Sequence, residues 1–365
     1  MTFTGTGSPE AEARVAEDLA VIVDAVRSTP SPERLEAVLL LGGFARGEGA
    51  VVRDAGGVLR GFNDYDLLLV FSSRPRDSAP FQNLSHKLAE RLAIEFVDLG
   101  VAGVADLAAA PPTLFWYELG LAHRVLWAAG EPPPVRRFPQ SDLDPAEGSR
   151  LLVNRGMGLL WAALRLRPPE GGRTAPRDLE FSAIASHKAV LAAGDAALLR
   201  ENAYALGARE RLSAVRDRAR GWPWAPEGFP EAYANAVRFR GAPAFGDEAE
   251  IRASWSLACG IHEAGLRAAE TARLGSFESW EEHARRVRRK TRRWASPREA
   301  ARALRRRLRG APVLEVDDRC LADLPVLLYA PAAGDPGGEP PGGMDAATHR
   351  NWRERAAELV RLWHP

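Results

Sequence analysis

Leu40-Leu41-Gly42-Gly43-Phe44-Ala45-Arg46-Gly47-Glu48-Gly49, followed by Asn63-Asp64-Tyr65-Asp66-Leu67-Leu68-Leu69-Val70, is the stretch that decides how this chain reads. Ala37 to Leu41 is a short continuous apolar run ending at Gly42-Gly43, the pattern of a buried strand meeting a tight turn. Asp66 to Phe71 is a second such strand. Asp64 and Asp66 stand two apart at its start, so both carboxylates point to one face. Carboxylates so placed repel unless a cation lies between them. Hard divalent ions, Mg²⁺ or Mn²⁺, suit all-oxygen donors, and Mg²⁺ keeps waters for a phosphate ligand. A glycine turn just after a strand lets backbone N–H groups approach an anion, best at a helix N-terminus. Gly42-Gly43 with Asp64 and Asp66 is thus a phosphate-and-metal pair, suited to in-line displacement at a nucleotide phosphate.

Outward from this core, Ser8-Pro9-Glu10 opens a helix with Ser8 as N-cap, and Val15, Leu19, Ile22, Val23 and Val26 follow at helical spacing. Val51 to Gly61 reads as a hairpin turning at Asp54 to Gly57. A helix is expected over Phe81–Arg91, a strand over Ala93–Leu99, a helix over Leu114–His123 and a strand over Arg124–Ala128. From about Asp144 helical periodicity takes over: Pro145–Leu166, Asp178–Leu199, Glu201–Arg220, Phe229–Arg238, Asp247–Leu274 and Ser279–Trp294, with a further helix starting at Ser296-Pro297. The expected class is α+β: a small mixed sheet over residues 1–140, an all-α domain over 141–330, a Pro/Gly linker over 331–344 and a last amphipathic helix over 345–365.

The 365 residues carry 49 basic and 48 acidic side chains, a net charge of +1. That balance hides two unlike halves: residues 1–130 hold 11 basic and 17 acidic side chains, the remainder 38 and 31. No run of about 18 apolar residues is present, so no membrane helix is expected. The N-terminus lacks a basic segment leading into an apolar core, so no secretory signal is expected there. Cys259 and Cys320 form no metal-ligand spacing and fit a reducing cytoplasm. Gly42 and Gly47 mimic P-loop spacing, but Glu48 stands where that loop needs Lys.

The quoted stretch resembles the DNA polymerase β-like nucleotidyltransferase superfamily: an apolar strand, a Gly-Gly or Gly-Ser turn, a short helix often containing Arg-Gly-Glu, then Asp-x-Asp on an apolar strand. The resemblance covers residues 35–130 well and the helical part more loosely. It implies that Gly42, Gly43 and Arg46 take the triphosphate-loop positions and that Asp64 and Asp66 hold metal. A third carboxylate belongs on a neighbouring strand. Asp98 is preferred, being an Asp inside an apolar strand, which is costly without a partner; Glu95 is the alternative. Asp98 would complete the metal site and act as, or orient, the base for an acceptor hydroxyl. The implied reaction moves a nucleoside monophosphate from an NTP, ATP by default, to an unidentified hydroxyl acceptor, a small molecule or a protein, releasing pyrophosphate. Two departures stand out: Gly43 replaces the frequent Ser, and the loop before Asp64 is long.

The resemblance also implies that the helical domain supplies a cation to the triphosphate. Lys188 is the best candidate, one of only three lysines, and Asp195 lies seven residues later on the same helix face. Residues 285–309 hold thirteen Arg or Lys against one acid, with Trp294 among them. Such a tract can track a phosphate backbone, which keeps open an RNA-directed transferase, though a solvated helix face is the favoured reading. A nucleotide-binding module on the same fold without turnover is the other alternative.

Overall fold

The computed structural model describes residues 2–53, 56–144, 146–167, 173–293, 316–329 and 346–363. The chain divides into two compact units. The first comprises Met1–Asp144, Tyr204–Arg211 and Val237–Ala244; the second comprises Pro145–Ala203, Leu212–Ala236 and Phe245–Pro365. The composition shift near residue 140 marks where the helical unit begins, but two later segments rejoin the first unit.

In the first unit, α1 (Pro9–Arg27) precedes β1 (Leu35–Leu40) and α2 (Gly42–Arg46). A separate hairpin, β2 (Val51–Arg53) and β3 (Leu59–Gly61), leads to β4 (Asp64–Phe71). Then come α3 (Ala79–Leu92), β5 (Phe96–Gly103), α4 (Val104–Ala108), α5 (Leu114–Leu121) and β6 (Arg124–Ala128). The four-stranded sheet runs β5-β4-β1-β6. It is mixed: β1 is antiparallel to β4 and β6, while β4 and β5 are parallel.

Both faces of β1 and β4 are covered, which is why they read as continuous apolar runs. Val38, Leu40, Leu67 and Leu69 pack with Val15, Leu19 and Ile22 of α1 and with Phe81 and Leu88 of α3. Ala37, Leu39, Leu68 and Val70 pack on the opposite face with Leu107 of α4 and Leu119 of α5. At the start of α1, Ser8 occupies the N-cap position, but its side chain makes no capping bond. The carboxylate of Glu12 instead turns back to accept from the Phe3 and Thr4 N–H groups at 2.6 and 2.8 Å.

The second unit is helical. It contains α6 (Glu147–Arg165), α7 (Pro176–Arg200), most of α8 (Ala208–Arg218) and α9 (Phe229–Gly241), then α10 (Glu248–Leu274) and α11 (Trp280–Arg293), and the helices Val316–Tyr329 and Ala346–Trp363. One expected helix is shorter than its periodicity suggests: residues 201–207 precede α8 as a loop, entered through Asn202 at φ 54°. Asp195 is buried and accepts from the Tyr233 hydroxyl at 2.6 Å, so it serves the interior of this unit. The last helix buries Trp352, Leu359 and Val360, as its pattern indicates. The helix expected from Ser296, the linker 331–344 and residues 294–309 of the basic tract lie outside the described residues. Of the tract's described part, Arg286 pairs with Glu282 at 2.5 Å and Arg288 pairs with Asp323.

His262 on α10 gives this unit a pH dependence. It is fully buried, with Nε2 2.7 Å from the Leu152 carbonyl and Nδ1 bonded to the Tyr329 hydroxyl. The carbonyl only accepts, so Nε2 donates; with the ring kept neutral by burial, Nδ1 accepts from Tyr329. Burial pushes its pKa down to about 4, outweighing the Leu152 carbonyl. The unfolded chain, titrating near the ordinary value of about 6.5, therefore takes the proton first. The contribution to stability is complete above that value and declines by roughly 3 kcal/mol as pH falls to about 4. Burial pushes His187 on α7 down to about 4 as well, adding to the same window. Urea unfolding at pH 7 and pH 4.5 should show the decline, and His262→Gln should make it shallower.

Candidate functional site

Parallel pairing places Asp66 directly beside Asp98, and Asp64 beside Phe96. Asp64, Asp66 and Asp98 therefore share one face of adjacent strands. Carboxylate oxygens of all three lie within 4.8 Å of one another. Asp64 and Asp66 are half-buried and Asp98 is exposed. Glu95 precedes β5 and is not in the group. The donors are all hard oxygens, a set that fits Mg²⁺ or Mn²⁺.

The glycine turn is shaped by the same carboxylates. Gly42 has φ 66°, the left-handed region that disfavours any side chain. A Cβ there would also overlap Oδ2 of Asp66. The Leu41 N–H donates to the Asp66 carbonyl at 2.8 Å, tying turn to strand. The helix that follows, α2, has only five residues. So short a helix gives little macrodipole.

Tyr65 anchors the strand from the opposite face. It is fully buried, and its hydroxyl donates at 2.8 Å to Asp18 of α1, which pairs with Arg14 at 2.9 Å. Burial and then the Asp18 charge push the phenol's pKa well above its ordinary value. Phe44 of the turn lies 4.7 Å from the Tyr65 ring, centroid to centroid. A Cβ at Gly61 would come 2.6 Å from the Tyr65 hydroxyl, so β3 must approach as glycine. Tyr65→Phe removes one donor to a buried carboxylate and should lower stability by about 1–3 kcal/mol in chemical denaturation.

Beyond the turn lies a charged cluster, wholly within the first unit. Arg46 donates to Glu48 at 3.1 Å and to Glu118 of α5 at 3.3 Å. Burial opposes its charge, but Glu118 and Glu48 outweigh that and raise its pKa. Glu48 also meets Arg240 at 3.2 Å and accepts from the Ala208 N–H at 2.6 Å. Burial would raise its pKa, yet Arg240, Arg46 and that N–H hold it below the usual range. Glu118 accepts from the Tyr204 hydroxyl. Buried Arg211 donates to the carbonyls of Ala205 and Leu206 and to that same hydroxyl. A terminal nitrogen of Arg240 stands 3.2 Å from where a Gly43 Cβ would be. Burial, and next the Arg46 charge, lower its pKa.

The structure thus brings together Gly42, Asp64, Asp66 and Asp98, and sets Arg46 among carboxylates. Lys188 lies half-buried on α7, in the second unit. Arg240 and Glu118 were missed by sequence reasoning. They sit far along the chain in segments whose local patterns carry no sign of the turn. No family model, no curated protein and no solved structure matches this chain.

Proposed function

We propose that the first unit transfers a nucleoside monophosphate from an NTP, with ATP as the default donor, to a hydroxyl of a small-molecule or protein acceptor. The convergence of Asp64, Asp66 and Asp98 beside Gly42 is the observation that carries this reading. A divalent ion held there would neutralise charge on the phosphate and polarise it toward attack. Asp98, the exposed member, takes or aligns the proton of the acceptor hydroxyl. The acceptor oxygen bonds to the α-phosphorus as the bond to the bridging oxygen breaks, and pyrophosphate leaves. Gly42-Gly43 lets backbone approach the polyphosphate, with Arg240 beside Gly43 and Arg46 at the end of α2 as the candidate cations in the first unit.

The test is incubation with α-labelled ATP, Mg²⁺ and pools of hydroxyl compounds and proteins, reading label transfer and pyrophosphate release. Transfer that disappears in Asp64→Asn supports the reading. If the chain binds no NTP and Asp64→Asn changes nothing, the reading is lost. Binding without transfer to any acceptor would point to the non-catalytic module instead.

A further inference from the structure

Three guanidinium groups, Arg46, Arg211 and Arg240, gather around two carboxylates, Glu48 and Glu118. The carboxylates are unequally engaged. Glu118 serves Arg46 and a tyrosine hydroxyl, whereas Glu48 is shared between Arg46 and Arg240, at 3.1 and 3.2 Å. Arg46 ends the short helix that follows the turn, and a terminal nitrogen of Arg240 stands 3.2 Å from where a Gly43 Cβ would be. A polyphosphate arriving at Gly43 would seek the same donors, because phosphate and carboxylate recognise a guanidinium through the same planar N–H array. Glu48 is also fixed in place: its other oxygen holds the Ala208 N–H, and its own N–H donates to the Gly43 carbonyl at 2.8 Å.

We infer that Glu48 is a built-in competitor for the phosphate seat: its carboxylate occupies the guanidiniums that a polyphosphate needs, keeping pyrophosphate binding weak enough for release. The inference rests on the proposed function in placing a polyphosphate at Gly43. It concerns the ligand class of nucleotide polyphosphates and free pyrophosphate. A bracing role alone predicts the opposite sign, since loss of a brace loosens the seat.

Calorimetric titration of the full chain with pyrophosphate, at fixed Mg²⁺ and ionic strength, separates the two. Glu48→Gln keeps an oxygen for the Ala208 N–H and removes the charge. It is expected to bind pyrophosphate about tenfold tighter, and Arg240→Gln about tenfold weaker. Adenosine, which lacks phosphate, should bind all three proteins alike; a change that extends to adenosine would overturn the inference. Unchanged or weaker pyrophosphate binding by Glu48→Gln would do the same. Should Glu48→Gln not fold, unaltered binding by Arg240→Gln alone would suffice to overturn it. Tighter binding in a chain that transfers label to no acceptor leaves the inference standing and removes the proposed reaction. Transfer with unchanged pyrophosphate binding does the reverse.

Discussion

Asp66→Asn should reduce nucleotidyl transfer on the order of a thousandfold while leaving the folded chain as stable as before or more so. The two halves of this result have one cause. Asp66 is the middle carboxylate, paired in register with Asp98 and two residues from Asp64. Without a cation, three carboxylates within 4.8 Å repel one another. Asn keeps the shape, removes one charge and relieves that repulsion, which should raise the metal-free unfolding midpoint by a few degrees, about 0.5–1 kcal/mol. The same deletion removes a charged donor from the proposed metal site, and transition-state charge then goes unstabilised, at about 3–4 kcal/mol or more. Thermal unfolding with and without Mg²⁺, beside label transfer, checks both. A drop in stability in the metal-free state would contradict the repulsion argument.

Gly42→Ala should abolish transfer to a similar degree but with the opposite effect on stability. At φ 66° an alanine costs about 1–2 kcal/mol from backbone strain alone. Its methyl also falls on Oδ2 of Asp66. That oxygen is the end of a flexible side chain, so the clash resolves by rotating Asp66 away rather than by unfolding the sheet. The carboxylate then leaves its partners. The variant should melt several degrees lower, retain its circular dichroism and show lowered Mn²⁺ affinity by paramagnetic titration. Activity near that of the native chain would mean that Asp66 need not hold its observed position.

How much of this could be read from residues alone follows from the range of the forces involved. The apolar runs of β1 and β4, the glycine turn and the hairpin are local patterns, and each appears where its pattern indicates. The shared face of Asp64 and Asp66 follows from strand geometry. The preference for Asp98 over Glu95 could be read from its apolar surroundings, but seating it beside Asp66 takes the register of β4 against β5, which is set by packing over both faces of the sheet rather than by either strand's own residues. Arg46 stands at the position that the resemblance implies, and its pairing with Glu48 two residues on is local, but its pairing with Glu118 depends on α5. Arg240 and Tyr204 reach the same cluster from segments 204–211 and 237–244. No periodicity in a helix end announces a carboxylate partner 192 positions away, the separation of Arg240 from Glu48.

That discontinuity bears on how the chain is made. When Asp144 leaves the ribosome, the sheet is complete, yet Glu48 and Glu118 still lack Ala208, Arg240 and Tyr204. A further hundred residues, to Ala244, must be synthesised first. At typical elongation rates that is a wait of roughly 5–20 s. During it Glu48 and Glu118 have Arg46 but not the rest of their final partners. Its turn can close early, but its charge balance is a late event, finished only after the whole helical segment between residues 145 and 236 has emerged.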